Sequence, residues 1–600
     1  MKLKTTLIAF FSCALLFSQN FLEVQLPTPE KLSPLFIGPL VKSTIHYGTT
    51  PSNYNGKVII FNHGYIDLNQ GQFLFDNSFY QDTYDEGYQA VFVATTRGKG
   101  IWVNGELLAE AIDIVTNKYN VPQVYLVGHS NGGKASEAAM FRYGKNNKIT
   151  KAFALGTPFW GTYLANISQF PPLRWAWSLT GLNEGARTST TYYCRDVVRP
   201  YLDNHPDNDP EKFVVLGASG FYKGSTIAAA AFLLTGGVLL PVQGANDGVA
   251  PYRSTLRPGA EYVFRKNDPR AIIDHLDVGL GQFSWSYVKQ YIENPTLRTS
   301  LNKQNEITNH SITESNYYLL FSDNEYDQVT LDKGSKSAVV HVLHEKKGAN
   351  FQGYTTAIKK EAPLKKYHTQ DHQTSIPITK GGIRIKSDSK YVAFVRQSTD
   401  LKMYLEKTGT LKTPILRVKL LEKNTAINYP TQVRGIITKT AEIDGTSTGN
   451  EYTDVIEFEQ KENYFEFNTS TLTPGVYNLF LNAESEGNFK RSIISGFVVG
   501  DIKEALAASE NENPDIKTNK IFSITPSLVK NKAQLNINRY SLAGELLLNI
   551  YDLTGKKVKN FTIVPKYQKQ FDISNQLQTL SKGMYLLKVN DFQTIKFVKN

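Results

Sequence analysis

Two things are scarce in this sequence: cysteine, and apolar runs long enough to span a membrane. Only Cys13 and Cys194 occur among its 600 residues. Cys13 lies in an apolar run, residues 7–17, that follows two lysines, a pattern typical of a signal peptide over residues 1–19. Removing that peptide leaves Cys194 alone, so no disulfide can form within the exported chain and stability must come from buried core.

Clusters of like charge are missing as well. Lysine and arginine total 66 against 55 acidic residues, a net charge of +11, yet the two signs are interspersed without a basic run. A phosphate-binding groove needs such a cluster, so the composition does not favour a nucleic-acid partner. The histidines outside the motifs below show no third ligand at metal spacing, and we expect no required cofactor.

The most informative stretch is residues 124–133, where an apolar run ends in Gly128-His129-Ser130-Asn131-Gly132. This G-x-S-x-G pattern is typical of a sharp strand-to-helix turn that exposes a serine hydroxyl as a nucleophile, and its glycines make the turn possible. The flanking residues support it, because 123–127 are typical of a buried parallel strand and 134–143 of a helix. The alternative is a structural serine in a tight turn.

Strand-like and helix-like segments alternate from Lys57 onward, which predicts a mostly parallel sheet with helices on both faces over residues 20–296. The predicted strands are residues 58–62, 89–95, 123–127, 151–155, 212–217 and 261–265. The predicted helices are residues 71–86, 106–119, 134–143 and 276–292.

A serine nucleophile requires a histidine base and a carboxylate that orients it. Asp247 and His275 follow Ser130 in the chain order that this architecture dictates, each in a loop after a strand. Asp274 and Asp277 are competing acids. Residues so close to the histidine along the chain seldom reach its Nδ1, so we predict the triad Ser130, Asp247 and His275.

The oxyanion of such a reaction needs two backbone N–H donors. Asn131, directly after the nucleophile, can provide one, and Tyr65, which follows His63-Gly64 at the end of a strand, can provide the other. An ordinary strand-ending turn at His63-Gly64 is the alternative. We expect His63 and His129, inside the two turns, to pack or buttress.

Five blocks occur in order over about residues 57–294: FNHGY, VGHSNGG, LGTPFWGT, GANDGVAP and DHLDV. Together they resemble the bacterial lipases, a group of α/β-hydrolases. The resemblance implies hydrolysis of carboxylic esters through the triad named above. It departs from the family at Phe159, where lipases commonly have a histidine.

Some lipases also bind a structural calcium through an aspartate two residues after the catalytic histidine, a position that Asp277 matches. Residues 217–244 contain no acid that could supply the second ligand. Two roles are therefore expected alternatives for Asp277: a ligand of a structural calcium, or a partner in a surface salt bridge.

Two apolar insertions, residues 158–211 and 218–244, bear on the substrate. The first is irregular in pattern and contains Phe159, Trp160, Phe170, Trp175 and Trp177. The second contains TIAAAAFLLTGGVLLPV, residues 226–242, which predicts either a buried helical hairpin or a mobile lid that offers apolar surface to lipid. Apolar lining of this extent predicts a preference for medium to long acyl chains.

Beyond residue 295 short alternating strands with Gly, Asn and Asp turns predict β-sandwich-like modules over residues 297–410 and 411–502. Binding and spacer roles are both open for them. The chain is then either a secreted lipase or carboxylesterase working at a lipid–water interface, or a surface adhesion or carbohydrate-binding protein with an incidental hydrolase domain. A polyester depolymerase or a phospholipase would use the same triad.

Residues 503–523 are polar and acidic and contain proline, which predicts a linker. The blocks YDLTGKKV and KGMYLLKV, with a basic strand at the extreme C-terminus, follow in residues 524–600. They are similar to the C-terminal sorting domains of type IX secretion in Bacteroidetes. The resemblance implies that the secretion machinery is a partner and that the protein is secreted or held at the cell surface.

Overall fold

The computed structural model describes residues 21–29, 43–64, 77–96, 98–170, 173, 184–226, 228–263, 265–298, 310, 312–321, 327–346, 348–349, 351–355, 367–370, 373–378, 383–448, 452–511, 522–526, 528–537, 545–552, 557–564, 570–589 and 593–600. The predicted signal peptide and Tyr65, Trp175 and Trp177 lie outside these residues. The chain divides into two compact units, Met1–Leu506 and Ala507–Asn600.

The first unit is built on a mostly parallel sheet. Its described strands are β1 (Phe21–Gln25), β2 (Ser43–Tyr47), β3 (Val58–Asn62), β4 (Gln89–Ala94), β5 (Val124–His129), β6 (Ile149–Leu155), β7 (Phe213–Leu216) and β8 (Glu261–Tyr262). They lie in the order β1-β2-β4-β3-β5-β6-β7-β8. Among these pairs only β2–β4 is antiparallel.

Helices cover both faces of this sheet. They are α1 (Phe79–Asp85), α2 (Ile101–Tyr119), α3 (Asn131–Phe141), α4 (Tyr163–Gln169), α5 (Glu184–Arg187), α6 (Thr191–Tyr193), α7 (Arg199–Asp203), α8 (Ala229–Gln243), α9 (Tyr252–Thr255) and α10 (Gly281–Glu293). A π-helical turn lies at Cys194–Val198, and 3-10 turns lie at Asn146–Lys148, Pro210–Lys212, Pro269–Ala271 and Asp277–Gly279. Ile60 joins one apolar cluster and Ile59 and Phe61 the other, because successive strand residues point to opposite faces. The predicted α/β architecture is confirmed.

Three helices start at other residues than predicted, the first being α3, which begins at Asn131 rather than at Lys134. Helix α2 begins at Ile101 rather than at Glu106, because Gly100 precedes it in an extended conformation. Helix α10 begins at Gly281 rather than at Leu276, because residues 277–279 form a separate 3-10 turn after His275. Of the predicted helix 71–86, the described part is α1.

The described residues of both insertions contain helices that differ from what the sequence suggests. The first contains α4 to α7 where an irregular segment was expected. In the second, the described residues form one helix, α8, rather than the helical hairpin that was one of the two predicted alternatives; the other alternative, a mobile lid, stays a prediction. Gly236 does not break that helix because it lies against an aromatic ring: a Cβ at this position would be 2.2 Å from Phe221 Cγ.

Antiparallel strands follow the α/β sheet in the first unit. They are β9 (Ile312–Ser315), β10 (Tyr317–Phe321), β11 (Asp327–Val329), β12 (Ala338–His344), β13 (Phe351–Thr355), β14 (Tyr367–Gln370), β15 (Gln373–Ile378), β16 (Ile383–Ser387), β17 (Tyr391–Gln397), β18 (Leu401–Gly409), β19 (Pro414–Glu422), β20 (Thr425–Ala426), β21 (Gln432–Ala441), β22 (Tyr452–Glu457), β23 (Glu459–Gln460), β24 (Phe465–Asn468), β25 (Gly475–Ser485) and β26 (Phe489–Val499). Their sheets have the orders β10-β17-β12-β15-β14, β11-β16-β13, β23-β24-β19-β18-β9 with β20 on β19, and β22-β21-β25-β26.

The predicted boundary between residues 410 and 411 falls between two strands that pair with each other. Strand β18 is hydrogen-bonded along its whole length to β19 and also to β9. The sheet therefore draws strands from both sides of that boundary.

These sheets pack on the insertions of the α/β region, across a contact that we call the module interface. From the sheets it contains Tyr317, Leu319, Leu343, Val392, Phe394, Phe480 and Ile494. From α4, α8 and the chain between them it contains Tyr163, Leu164, Ile167, Phe170, Leu173, Val238 and Leu239. The Tyr163 and Tyr317 hydroxyls are 3.1 Å apart, and Lys407 Nζ lies 2.6 Å from buried Asp196.

Helix α11 (Ile502–Asn511) occupies the first half of the predicted linker, and its Leu506 is buried. The second unit has strands β27 (Phe522–Thr525), β28 (Leu528–Val529), β29 (Gln534–Ile537), β30 (Leu546–Asp552), β31 (Lys557–Ile563), β32 (Gln570–Asp572), β33 (Gly583–Val589) and β34 (Gln593–Lys599), and helix α12 (Ser574–Gln578). Its sheets are ordered β27-β29-β32 and β28-β34-β33-β30-β31. Across the described residues, no helix combines the length and the apolar character needed to cross a membrane.

Candidate active site

Ser130 stands between β5 and α3 in a conformation that side chains rarely adopt, with φ 55° and ψ −127°. Close packing on both sides fixes it. A Cβ at Gly128 would lie 2.7 Å from Gly133 N, and one at Gly132 would lie 2.5 Å from His63 O. Only glycine fits at these two positions, so the turn predicted from the motif is the turn that the chain makes.

Asp247 and His275 lie together although 28 residues separate them in the chain. His275 Nδ1 donates to Asp247 Oδ2 at 2.8 Å, and His275 N donates to Asp247 O at 2.9 Å. The other carboxylate oxygen, Oδ1, accepts from the N–H groups of Val249 and Ala250 at 2.9 and 2.6 Å. Both side chains are buried, so the imidazole ring is held in one orientation. Nδ1 is engaged by Asp247, and Nε2 is the ring nitrogen that can accept a proton.

The turn that carries Ser130 and the loop that carries His275 are joined through His129. Its Nε2 donates to His275 O at 2.7 Å, and the two imidazole rings are 4.8 Å apart. Burial and the neighbouring His275 keep the pKa of His129 well below its usual value, so His129 is neutral. His129 thus buttresses the loop of His275, as the sequence predicts.

The Ser130 hydroxyl makes no hydrogen bond to His275 within the described part of the chain. Catalytic contacts of this kind often tighten only when substrate is bound. Gly156 lies beside the pair, since a Cβ there would be 3.2 Å from Asp247 Oδ2 and 3.3 Å from His275 Nδ1.

The candidate oxyanion donors are described in part. Asn131 is the first residue of α3, where a backbone N–H has no partner within the helix. Tyr65 lies outside the described residues, but the residue before it reaches the nucleophile: a Cβ at Gly64 would be 2.4 Å from Ser130 Cβ. His63 packs as expected, accepting from Thr95 N at 2.9 Å.

Asp274 and Asp277, the competing acids, accept hydrogen bonds from groups other than the His275 ring. Asp274 Oδ1 accepts from the N–H groups of Leu276 and Asp277 at 3.0 and 2.9 Å, which shapes the turn after the histidine. Asp277 is buried rather than salt-bridged at the surface. Its two oxygens accept from Ser225, at 3.0 Å from N and 2.5 Å from Oγ. Donors aimed at both oxygens do not fit the calcium ligand suggested by the lipase resemblance.

Asp274→Asn is expected to stabilise the protein at high pH but not at low pH. Burial raises the pKa of Asp274 to about 6, and the charges of Asp277 and Asp247 add to this. Because the pKa is about 4 in the unfolded chain, Asp274 stabilises the fold fully below pH ~4 and loses that contribution as pH rises through about 6. A pKa shift of about two units, discounted for solvent screening, corresponds to about 2 kcal/mol. At pH 8 the free energy of unfolding of Asp274→Asn should exceed that of wild type by this amount.

Denaturant unfolding of wild type and variant at pH 4 and pH 8 measures this, with Asp388→Asn at an exposed position as the control. An equal change in stability at both pH values would contradict the assignment.

Sequence reasoning did not single out Phe232, a residue of α8 that packs against His275. The Phe232 ring lies 6.0 Å from the imidazole ring of His275, edge to face, and forms an apolar cluster with Leu276, Ala228 and Val249. The sequence signal for this contact is the uncharged apolar run of residues 226–242, which does not indicate which of its side chains faces the histidine. The first insertion contributes less than expected, because Phe159 is buried in the core and Phe170 at the module interface.

Comparisons with known proteins bear on the fold. Residues 85–169 match a family described as an alpha/beta hydrolase of unknown function (DUF915). No curated protein matches the chain. The structure of Bacillus licheniformis lipase BlEst2 in propeptide form is similar, with 18% identity over 76% of this chain and 97% of that chain and a TM-score of 0.57. The mature form gives 22% identity, 41% and 97% coverage and a TM-score of 0.36.

The first unit thus has an α/β-hydrolase fold, similar to the fold of a lipase. Residues 518–600 match a secretion system C-terminal sorting domain, as predicted from the sequence. Such a domain implies recognition by the type IX secretion machinery and export to the surface or the medium.

Proposed function

We propose that the protein is an exported serine hydrolase that cleaves carboxylic esters of lipids, as a lipase or carboxylesterase. The observation that carries this is the buried Asp247–His275 pair joined to the strained turn of Ser130. Residues 1–19 are the proposed signal peptide, which would deliver the chain to the machinery that reads its C-terminal domain.

In the proposed reaction, His275 Nε2 takes the Ser130 proton as Oγ attacks the ester carbonyl. Asp247 holds the ring and stabilises the imidazolium that forms, since its own oxygens are fixed by backbone donors. The N–H groups of Asn131 and Tyr65 are the proposed donors to the oxyanion. His275 then gives its proton to the leaving alcohol, and water hydrolyses the acyl-enzyme by the same path.

The acyl group is proposed to lie along α8. This helix has no charged residue, places Phe232 on the ring of His275, and leaves Leu240 46% exposed. The triad contacts only the ester group, so chain-length preference must come from this apolar wall. Each methylene fully removed from water contributes about 0.8 kcal/mol, or roughly fourfold.

We expect kcat/KM on p-nitrophenyl esters to rise from acetate through butyrate to octanoate, with the four methylenes between butyrate and octanoate contributing up to about a hundredfold. Phe232→Ala should reduce the octanoate-to-acetate ratio, while Val455→Ala, at an exposed apolar position on β22, serves as the control. A steady fall of kcat/KM with chain length would reassign the protein as a short-chain esterase. No turnover of any ester or of emulsified triglyceride would favour the alternative, an adhesion or carbohydrate-binding protein with an incidental hydrolase domain.

A further inference from the structure

A buried lysine on the helix after Ser130 takes no part in the reaction above. Lys134 is 1% exposed and lies three residues after Asn131, so their side chains share one face of α3. Its Nζ donates to Ser189 Oγ at 3.0 Å and lies 3.5 Å from Thr188 O and 4.0 Å from Cys194 Sγ.

Among the described residues Lys134 forms no ion pair. The nearby carboxylate, Glu137, is already shared: Oε2 accepts from Arg199 at 2.5 Å and Oε1 from Arg257 at 2.7 Å. Burial lowers the pKa of Lys134, which shows what it costs to keep this charge away from water. An apolar side chain at this position would avoid that desolvation cost. A buried lysine here therefore indicates a functional role.

The buried charged side chains around Lys134 and Glu137 of α3 carry a net positive charge. Lys134, Arg199 and Arg257 are all buried, and the acids beside them are Glu137 and Asp203, the latter 33% exposed. The region thus holds three cations against two carboxylates. Since the first turn of a helix also carries a partial positive charge, an anion formed there meets two favourable fields of the same sign.

Ser189 connects Lys134 to the proposed site. Its single hydroxyl proton has two alternative acceptors, Gly185 O at 2.7 Å and Asn131 Oδ1 at 3.1 Å. Its carbonyl accepts from Thr162 N at 2.9 Å, and Thr162 Oγ1 donates to Val249 O at 2.6 Å. Ser189 therefore contacts the residue after the nucleophile directly, and the loop of Asp247 through one further residue.

We infer that Lys134 is a positioning residue for the oxyanion, with Ser189 as its link. The ammonium fixes Ser189, Ser189 fixes Asn131, and the charge strengthens the field at the first turn of α3. The inference rests on the proposed function, since it assigns Asn131 N–H as an oxyanion donor. Removing a donor itself costs 10²–10³ in kcat, so a group that acts through it is expected to be worth about tenfold.

The test compares Lys134→Met, Ser189→Ala and the double variant with wild type on p-nitrophenyl butyrate. The control is Lys151→Met, which removes another nearly buried lysine whose Nζ contacts Glu211 O. A second readout is the inhibition constant of an alkyl trifluoromethyl ketone. When Ser130 Oγ adds to this inhibitor, an O–C bond forms and the π bond of the ketone breaks. The Ser130 proton passes to His275 Nε2 and the negative charge stays on the former carbonyl oxygen, as in the ester reaction.

We expect Lys134→Met to lower kcat about tenfold with KM within twofold, and to raise the ketone inhibition constant by the same factor. Ser189→Ala should lower kcat about threefold, and the double variant should be no worse than Lys134→Met within twofold, because both act through one path. Lys151→Met should match wild type.

Unchanged kcat and inhibition constant in Lys134→Met, even with lower thermal stability, would show a purely structural lysine. If that variant does not fold, unchanged kcat in Ser189→Ala overturns the inference instead. Wild type without esterase activity would overturn the proposed function itself, which is a different result from an active wild type with insensitive variants.

Discussion

Ser130→Ala is expected to lower ester hydrolysis by about 10⁴ to 10⁶ and to leave the protein folded. The members of a catalytic triad act as a unit, so loss of the nucleophile removes nearly everything the triad contributes. Burst titration and steady-state rates on p-nitrophenyl butyrate measure the effect. Ser130→Gly is the matched variant: it also lacks the hydroxyl, but it relieves the positive φ of 55° and should be more stable than Ser130→Ala by about 1 kcal/mol. A Ser130→Ala protein with a substantial fraction of wild-type turnover would rule out this nucleophile.

Variants at the other two triad positions are expected to lose activity to different extents, according to whether a base remains in the site. His275→Ala removes the base, whereas Asp247→Asn keeps a base whose orientation and charge are no longer supported, so Asp247→Asn should be the less severe. Asp274→Asn should stay active, because Oδ1 of an asparagine can still accept from Leu276 N and Asp277 N. An active Asp247→Asn beside an inactive Asp274→Asn would move the acid to Asp274.

The turn around Ser130 and the pairing of Asp247 with His275 could be predicted because the requirements are local and chemical. Glycine at 128 and 132 follows from close contacts that any such turn makes. The acid and the base follow from chain order, since the carboxyl ends of parallel strands meet at one edge of the sheet. The assignment of these residues to catalysis stays a prediction until the variants are made.

The insertions could not be predicted in the same way, because their structure depends on distant residues. Gly236 and Pro241 suggest a break, yet α8 continues through both. One side of α8 places Phe232 on His275, and Val238 and Leu239 pack at the module interface. No periodicity in residues 226–242 shows this, because partners such as Tyr317 and Phe394 lie far along the chain.

The same contacts bear on the sheets that follow the hydrolase fold, for which the sequence left binding and spacer roles open. A spacer would need little contact with its neighbour. Here Asp196, 1% exposed, accepts from Arg195 on its own segment and also lies 2.6 Å from Lys407 on β18. Tyr193 Oη donates to Ile443 O at 2.9 Å, and Val476, Val498 and Leu506 join the apolar cluster of the α/β sheet. Residues of these sheets and of α11 therefore belong to the same apolar core as the α/β sheet.

A chain ending at Asn294 is therefore expected not to fold stably, whereas a chain ending at Asn511 should fold and keep wild-type kcat/KM. The shorter chain would expose seven apolar side chains of the hydrolase side of the module interface. At about 1.5–3 kcal/mol for each buried side chain, with allowance for partial burial and for residual structure in the unfolded chain, the loss is about 10 kcal/mol. That equals the whole stability of a typical domain. Soluble yield, thermal unfolding and ester turnover of the two truncations measure it, with Phe480→Ala in the longer chain as a point variant that should cost about 3–5 kcal/mol. A soluble chain ending at Asn294 that unfolds cooperatively at the temperature of the longer one would show that the sheets are a separable attachment, because the apolar faces of α4 and α8 would then be stable in water without them.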